Sequence, residues 1–369
     1  MFLRMCGHLL SRGGCFAALC LLFAPLLPAQ DAPPVIQAFF GPKAADDPAG
    51  LYFNLMRFLD TAKVSIHASI HEVDMISIAE KLAERASQGL DVQIVIEAKW
   101  WTLSKNKAVR GVLEKSKVKV ILDTKSSGLM HNKFFVVDGK RVWTGSTNIT
   151  ETCLLYNPNN SLWIEDAQVA ENYMQEFNQE HAGHFAAQRP GGAGVLHPTV
   201  QTAAGKIRTM FCPEDKPLGT IAKLIDGAQK SVDILCFVFS SQEIAEAAIR
   251  AHRRGVKVRV LLDNVFSSPA ATSHWKYVPF RAMSEAGIAC KYDDENSKLH
   301  HKLIIIDNSI LEVGSMNFSL NGEKTNSENV LIIESPELAQ KYEAEFERLW
   351  KYFDGNPSET TPDAEGEDG

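Results

Sequence analysis

Two stretches of this chain repeat each other at fixed register, so whatever fold it adopts must be built twice. HNKFFVVDGKRVWTGSTN places His131, Lys133, Asp138, Gly145, Ser146 and Asn148; HHKLIIIDNSILEVGSMN places His300, Lys302, Asp307, Gly314, Ser315 and Asn317, each 169 residues further on. The duplication extends upstream at an offset of 166. FLDTAKVSIHASI (58–70) corresponds to LIDGAQKSVDILCF (224–237), and IAEKLAERASQGLDVQIVIE (78–97) to IAEAAIRAHRRGVKVRVLLD (244–263). Each copy reads helix, strand, helix, Gly turn, strand, then a variable loop, a short strand (VKVIL; IACKY) and the motif strand. Gly89 and Gly255 stand where helix C-caps are expected. Alternation of strands and helices predicts an α/β class with mixed or parallel sheets, arranged as two pseudo-symmetric α/β/α sandwich halves.

The motif has a physical reading. FFVVD and LIIID are apolar and β-branched, which predicts buried strands, and residues i and i+2 of a strand project from one face. A lysine on such a strand is costly unless an anion or carboxylate meets it. The Gly-Ser-x-Asn that follows adds a hydroxyl, a carboxamide and backbone N–H groups, a set of donors suited to phosphate oxygens. The Asp at i+7 is read as holding the strand end or the lysine, and is counted with His and Lys in the catalytic set. One His-x-Lys on a strand means little; two copies matching at six positions point to phosphate chemistry.

These residues resemble the signature of the phospholipase D superfamily, and the likeness covers nearly the whole chain after its first thirty residues. The stretch NSENVLIIESPELAQKYEAEFERLW resembles the small bacterial endonucleases and the cardiolipin-hydrolase-like members, which carry one motif per chain and dimerise. The chain resembles two such units fused. The resemblance implies one shared site at the interface of the halves, complete within one chain. It also implies phosphodiester hydrolysis in two steps: one His attacks phosphorus and the other protonates the leaving alcohol. The expected catalytic residues are His131, Lys133, Asp138, His300, Lys302 and Asp307. Ser146, Asn148, Asn160, Ser315, Asn317 and Glu328 are expected to bind or orient the phosphate or the imidazoles. Because two lysines supply positive charge, neither a cofactor nor a metal is expected. In two-motif relatives the acid after the second motif supports the first His. Carried over, Glu328 supports His131 as nucleophile, while Asn160, aligned with Glu328, faces His300 and makes it the general acid.

Composition bounds location and substrate. Arg4 and Arg12 precede the apolar run CFAALCLLFAPLLPAQ, which reads as a secretory signal over residues 1–29 and predicts an exported, periplasmic or secreted protein. Residues 30–182 and 206–353 are read as the two halves. The Gly/Pro/Ala-rich stretch 183–205 is read as a linker, and the acidic tail 354–369 as a solvated, disordered end. The chain carries −7; without signal and tail it has 36 basic and 39 acidic residues, net −3. A dedicated nucleic-acid binder usually has a basic surplus, so phospholipid is the first substrate class and nucleic acid the alternative. Phosphatidyl transfer uses the same residues. Trp100, Trp101 and Trp275 fall in the two variable loops, where aromatics beside lysines could hold a membrane surface, stack on bases or simply pack. His67, His71 and His252 are read as structural or surface residues. Of the four cysteines after the signal, Cys236 is read as core, and pairing among Cys153, Cys212 and Cys290 is left open.

Overall fold

The apolar motif strands form the centres of two sheets. The computed structural model describes residues 35–124, 128–186, 194–274, 276–294 and 298–353. The expected signal, the tail and Trp275 lie outside them, as does 187–193 of the expected linker. The first sheet holds β1 (Ile36–Phe40), β2 (Ser65–Ile70), β3 (Asp91–Glu97), β4 (Lys119–Asp123), β5 (Lys133–Val137), β6 (Arg141–Gly145) and β7 (Asn160–Glu165), in the order β1-β7-β6-β5-β2-β3-β4. The second holds β8 (Thr199–Thr202), β9 (Gly205–Cys212), β10 (Ser231–Cys236), β11 (Lys257–Leu262), β12 (Ala289–Tyr292), β13 (Lys302–Ile306), β14 (Ile310–Gly314) and β15 (Glu328–Glu334). Read from its β8 edge, it follows the same path with one strand added: β8-β9-β15-β14-β13-β10-β11-β12. The motif strands β5 and β13 are antiparallel to both neighbours, while β2-β3-β4 and β10-β11-β12 are parallel.

Three apolar clusters fill the layers. Helices Leu51–Asp60 and Ile76–Ser87 cover the outer face of the first sheet, and Pro217–Gly227 and Gln242–Arg253 that of the second. The third cluster lies between the sheets and contains Phe134 and Leu303 from the two motif strands. It also takes Tyr173 and Phe177 from helix Ala167–His181, and Tyr342 and Phe346 from helix Pro336–Tyr352. Strand alternation explains this: one face of each sheet is sealed by its own helix pair, and the other meets the partner half.

The expected linker is not wholly a connection. β8 falls within 183–205 and pairs antiparallel with β9, so the second sheet begins at Thr199 rather than 206. Its Gly205 is required, since a Cβ there would stand 2.2 Å from the Glu334 carbonyl oxygen. Cys153, Cys212, Cys236 and Cys290 are all free thiols, the first three buried.

Candidate active site

The two motif strands bring His131, Lys133, His300 and Lys302 into one buried cluster between the halves. All four are under a tenth exposed. The stitching is reciprocal: the His131 N–H donates to the Ser327 carbonyl (3.0 Å), the Ser327 N–H to the Leu129 carbonyl (2.8 Å), and the His300 N–H to the Pro158 carbonyl (2.9 Å). Each motif thus enters the site held by the loop that follows the other motif. The motif glycines permit the next step. A Cβ on Gly145 would lie 2.4 Å from the Asn160 carbonyl oxygen, and one on Gly314 would lie 2.1 Å from that of Asn329.

The imidazoles are oriented differently. His131 Nδ1 lies 2.8 Å from Glu328 Oε2. Glu328 is fully buried and also accepts from Ser315 Oγ (2.6 Å) and Asn326 Nδ2 (3.0 Å). His300 Nδ1 has two neutral acceptors, the Ser146 carbonyl and Asn159 Oδ1, each at 3.0 Å. With Nδ1–H committed in both rings, each Nε2 is left as the reactive nitrogen. Burial, then the ammonium groups, pushes both histidines well below their ordinary range, so both rest neutral. Burial raises Glu328 to about 7, against the pull of Lys133 and Lys302. Lys133 and Lys302 donate to the carbonyls of His131 (2.6 Å) and His300 (2.8 Å), and burial lowers them to about 7 and about 8. A phosphodiester anion would reverse that cost.

Several expected residues take other places. Asn160 does not face His300. Its Nδ2 lies 2.8 Å from Nδ1 of His301, and its Oδ1 accepts from Tyr342 (3.1 Å). The residue facing His300 is Asn159, which the 169-residue offset pairs with Glu328. Ser146 and Ser315 hold the orienting groups: Ser146 Oγ donates to Asn159 Oδ1 (2.9 Å) as Ser315 Oγ does to Glu328. Asn317 accepts from the Val238 N–H (3.3 Å), and Asn148 is buried with its Oδ1 unpaired among the described residues. Asp138 and Asp307 stand outside the cluster, at the far ends of β5 and β13. Five residues of strand at ~3.3 Å each separate Asp138 from Lys133 by roughly 17 Å. Both are left-handed residues whose carboxylates collect a run of backbone N–H groups, at residues 63–65 and 229–231. They hold the strand ends, one of the two roles considered for them.

The structure adds residues that the sequence reading left aside. His71 is buried against His131, ring centroids 4.5 Å apart, with Nδ1 3.0 Å from the Met130 carbonyl. Trp100 stands edge-on beyond it at 5.7 Å. The same path leads from His300 to Phe237 (4.6 Å) and on to Phe266 (4.6 Å). The 166-residue offset pairs His71 with Phe237 and Trp100 with Phe266. Trp101 lies in the outer core of the first half, not at the rim. Two carboxylates hold the residues just before the histidines: Glu97 Oε2 accepts from the Met130 N–H (2.9 Å), and Asp293 Oδ2 from the Leu299 N–H (2.7 Å).

One chain thus supplies both imidazoles, both ammonium groups and the groups that orient them. Mixing His131→Ala with His300→Ala protein is expected to restore no activity, measured on a soluble diester. Substantial recovery would mean that the working site forms between two chains.

The chain is similar to several known proteins. The sequence model described as "Cardiolipin synthase, PLD-like domain" matches the chain twice, at residues 55–181 and 221–350. A mitochondrial cardiolipin hydrolase of Xenopus tropicalis is 32% identical over 171 residues, 46% of this chain and 76% of that protein. A phospholipase D of Rickettsia conorii is 35% identical over 142 residues, 38% of this chain and 68% of that one. Among solved structures, the phosphatidylserine synthase of Haemophilus influenzae superposes with a TM-score of 0.61 at 15% identity over 85% of both chains, a likeness of fold. Two matched domains covering both motifs place the chain in the phospholipase D superfamily, as a tandem member of the cardiolipin synthase, PLD-like domain family.

Proposed function

We propose that the protein is an exported phosphodiesterase of phospholipase D type, which hydrolyses phospholipid through a phosphohistidine on His131. The observation that carries the assignment of roles is the unequal support of the two imidazoles, Glu328 behind His131 and Asn159 behind His300. A carboxylate behind Nδ1 makes Nε2 the better nucleophile, whereas an amide orients the ring without that gain.

The bound phosphodiester anion offsets the two ammonium groups that keep His300 neutral in the free site, so His300 takes up a proton from solvent on binding. His131 Nε2 then attacks phosphorus, the P–O bond to the leaving alcohol breaks, and His300 gives that oxygen its proton. Neutral His300 then takes a proton from water. The water oxygen attacks phosphorus, the P–N bond breaks, and His131 is restored. Lys133 and Lys302 carry the charge of the equatorial oxygens. Phospholipid as substrate is supported by the acidic body and by the lipid-acting relatives. Export rests on the apolar N-terminal run after Arg4 and Arg12.

Mature protein assayed in EDTA on phosphatidylcholine, cardiolipin and single-stranded DNA is expected to consume lipid. Acid quenching and peptide mapping should find phosphate on His131. His131→Ala abolishes that adduct, and His300→Ala lets it accumulate with an activated substrate. Phosphate on His300 would reverse the roles. Rapid DNA degradation with lipid untouched would replace the substrate and leave the mechanism.

A further inference from the structure

The segment between Lys99 and Lys119 contains seven lysine or arginine residues and one acid, Glu114, in a chain whose net charge is −7. It forms the short helices Ala98–Trp101 and Lys107–Leu113 and the lead into β4. Lys105, Lys107 and Lys115 line one shallow groove with Ser104, Gly111 and Val112. Lys105 stands at the outer end of the ring path to His131. It pairs with the buried Glu72 and lies over the Trp100 ring at 5.4 Å, and Trp100 leads through His71 to His131. Lys107, Lys115, Lys117 and Lys119 are exposed and have no ion-pair partner among the described residues. The 166-residue counterpart, 265–285, lacks this charge: it has Lys276 and Arg281 against Glu285. It offers apolar surface instead, with Val265 53% and Phe266 43% exposed beside Phe237. Leu103 is the matching exposed apolar residue on the basic side.

We propose that the 99–119 flank, with Leu103, Val265 and Phe266, is the surface by which this protein settles on an anionic phospholipid bilayer. Unpaired lysines on one flank are drawn to anionic headgroups, each adding to the attraction within a Debye length. Exposed apolar side chains by the outer ends of the two ring paths, Leu103 on one and Val265 and Phe266 on the other, enter the interfacial region. A single nucleic-acid strand would call for free rings along the basic groove. On the basic flank Trp100 is packed against His71 and the exposed apolar group, Leu103, is aliphatic; the exposed ring, Phe266, belongs to the other half, whose matching segment lacks that charge. The surface presents an interface to the two ring paths that end on His131 and His300, and so rests on the phospholipid reading of the site.

The test is co-sedimentation with vesicles of phosphatidylcholine alone and with about a third phosphatidylglycerol, with activity measured on the same vesicles and on a soluble short-chain phosphodiester. Wild type should bind the anionic vesicles, bind the neutral ones far less, and lose binding in high salt. The Lys107→Glu/Lys115→Glu variant should bind anionic vesicles about tenfold more weakly or worse, and Val265→Ser several-fold more weakly. Both should keep wild-type turnover of the soluble diester, which also reports folding. Charge-reversed protein that sediments like wild type would overturn the proposal, as would a flank whose lysines govern binding of single-stranded DNA and not of vesicles. Vesicle binding that depends on these residues without lipid hydrolysis would sink the phospholipid reading and keep the surface. Hydrolysis of detergent-dispersed lipid with vesicle binding indifferent to the variants would do the reverse.

Discussion

Lys133→Met is expected to lower kcat/KM about a thousandfold, as losing a donor to a developing oxyanion does, and to raise the thermal midpoint at the same time. The Lys133 ammonium is buried, donates to the His131 carbonyl and shares its pocket with Lys302. Glu328 is the main opposing charge. Without an anion, the site stores positive charge at a cost that burial makes visible by lowering Lys133 to about 7. Methionine keeps the stem and removes that cost. The sign follows from proton counting. Between about 7 and the ordinary lysine range the folded state binds fewer protons than the unfolded state, so wild-type stability rises with pH across that window. The advantage of methionine is therefore full at pH 6 and shrinks by pH 9. Thermal melts of both proteins at the two pH values decide it; a variant less stable than wild type at pH 6 would show that the folded site already compensates the charge.

Glu312→Leu should stabilise the protein by about 2 kcal/mol at neutral pH, the scale of a buried polar group without a partner, with activity unchanged. Glu312 lies on β14 between Ile304 and Ile332, on the face covered by the outer helices, and neither carboxyl oxygen has a hydrogen-bond partner among the described residues. Burial alone pushes this carboxyl well above its ordinary range. A carboxyl raised in the folded state keeps its proton there after the unfolded chain has lost its own, so stability falls as pH rises above the ordinary glutamate range. The gain from leucine should thus be larger at pH 8 than at pH 4.5. Denaturant titrations at both values would expose equal gains, which would contradict this account.

Much of this site was legible because the chain states it twice. His131, Lys133, His300 and Lys302 are where the duplicated pattern puts them, and the repeat order of helices and strands recurs in both sheets. The failures have local causes. NPNNSLWI contains two adjacent asparagines, and aligning Asn160 rather than Asn159 with Glu328 slips the register by one residue; on a strand, that turns the side chain to the opposite face. The 169-residue offset of the motif would have chosen correctly. Asp138 and Asp307 recur as faithfully as the histidines, yet they recur because both halves tie down the same strand end. His71 was missed because its counterpart is Phe237, so the shared property is ring shape rather than hydrogen-bonding chemistry. β8 hid in a stretch whose Gly, Pro and Ala content reads as connection.

The contrast of Glu328 with Asn159 bears on how such a protein can evolve. A pair of identical chains meeting on a twofold axis must place the same residue behind both imidazoles, because one codon writes both. Joining two units in one reading frame gives each imidazole a codon of its own. One support can then be tuned for attack and the other for proton delivery by single substitutions, with no second gene to keep in step. Division of labour between the two histidines is, on this view, a freedom conferred by the covalent join.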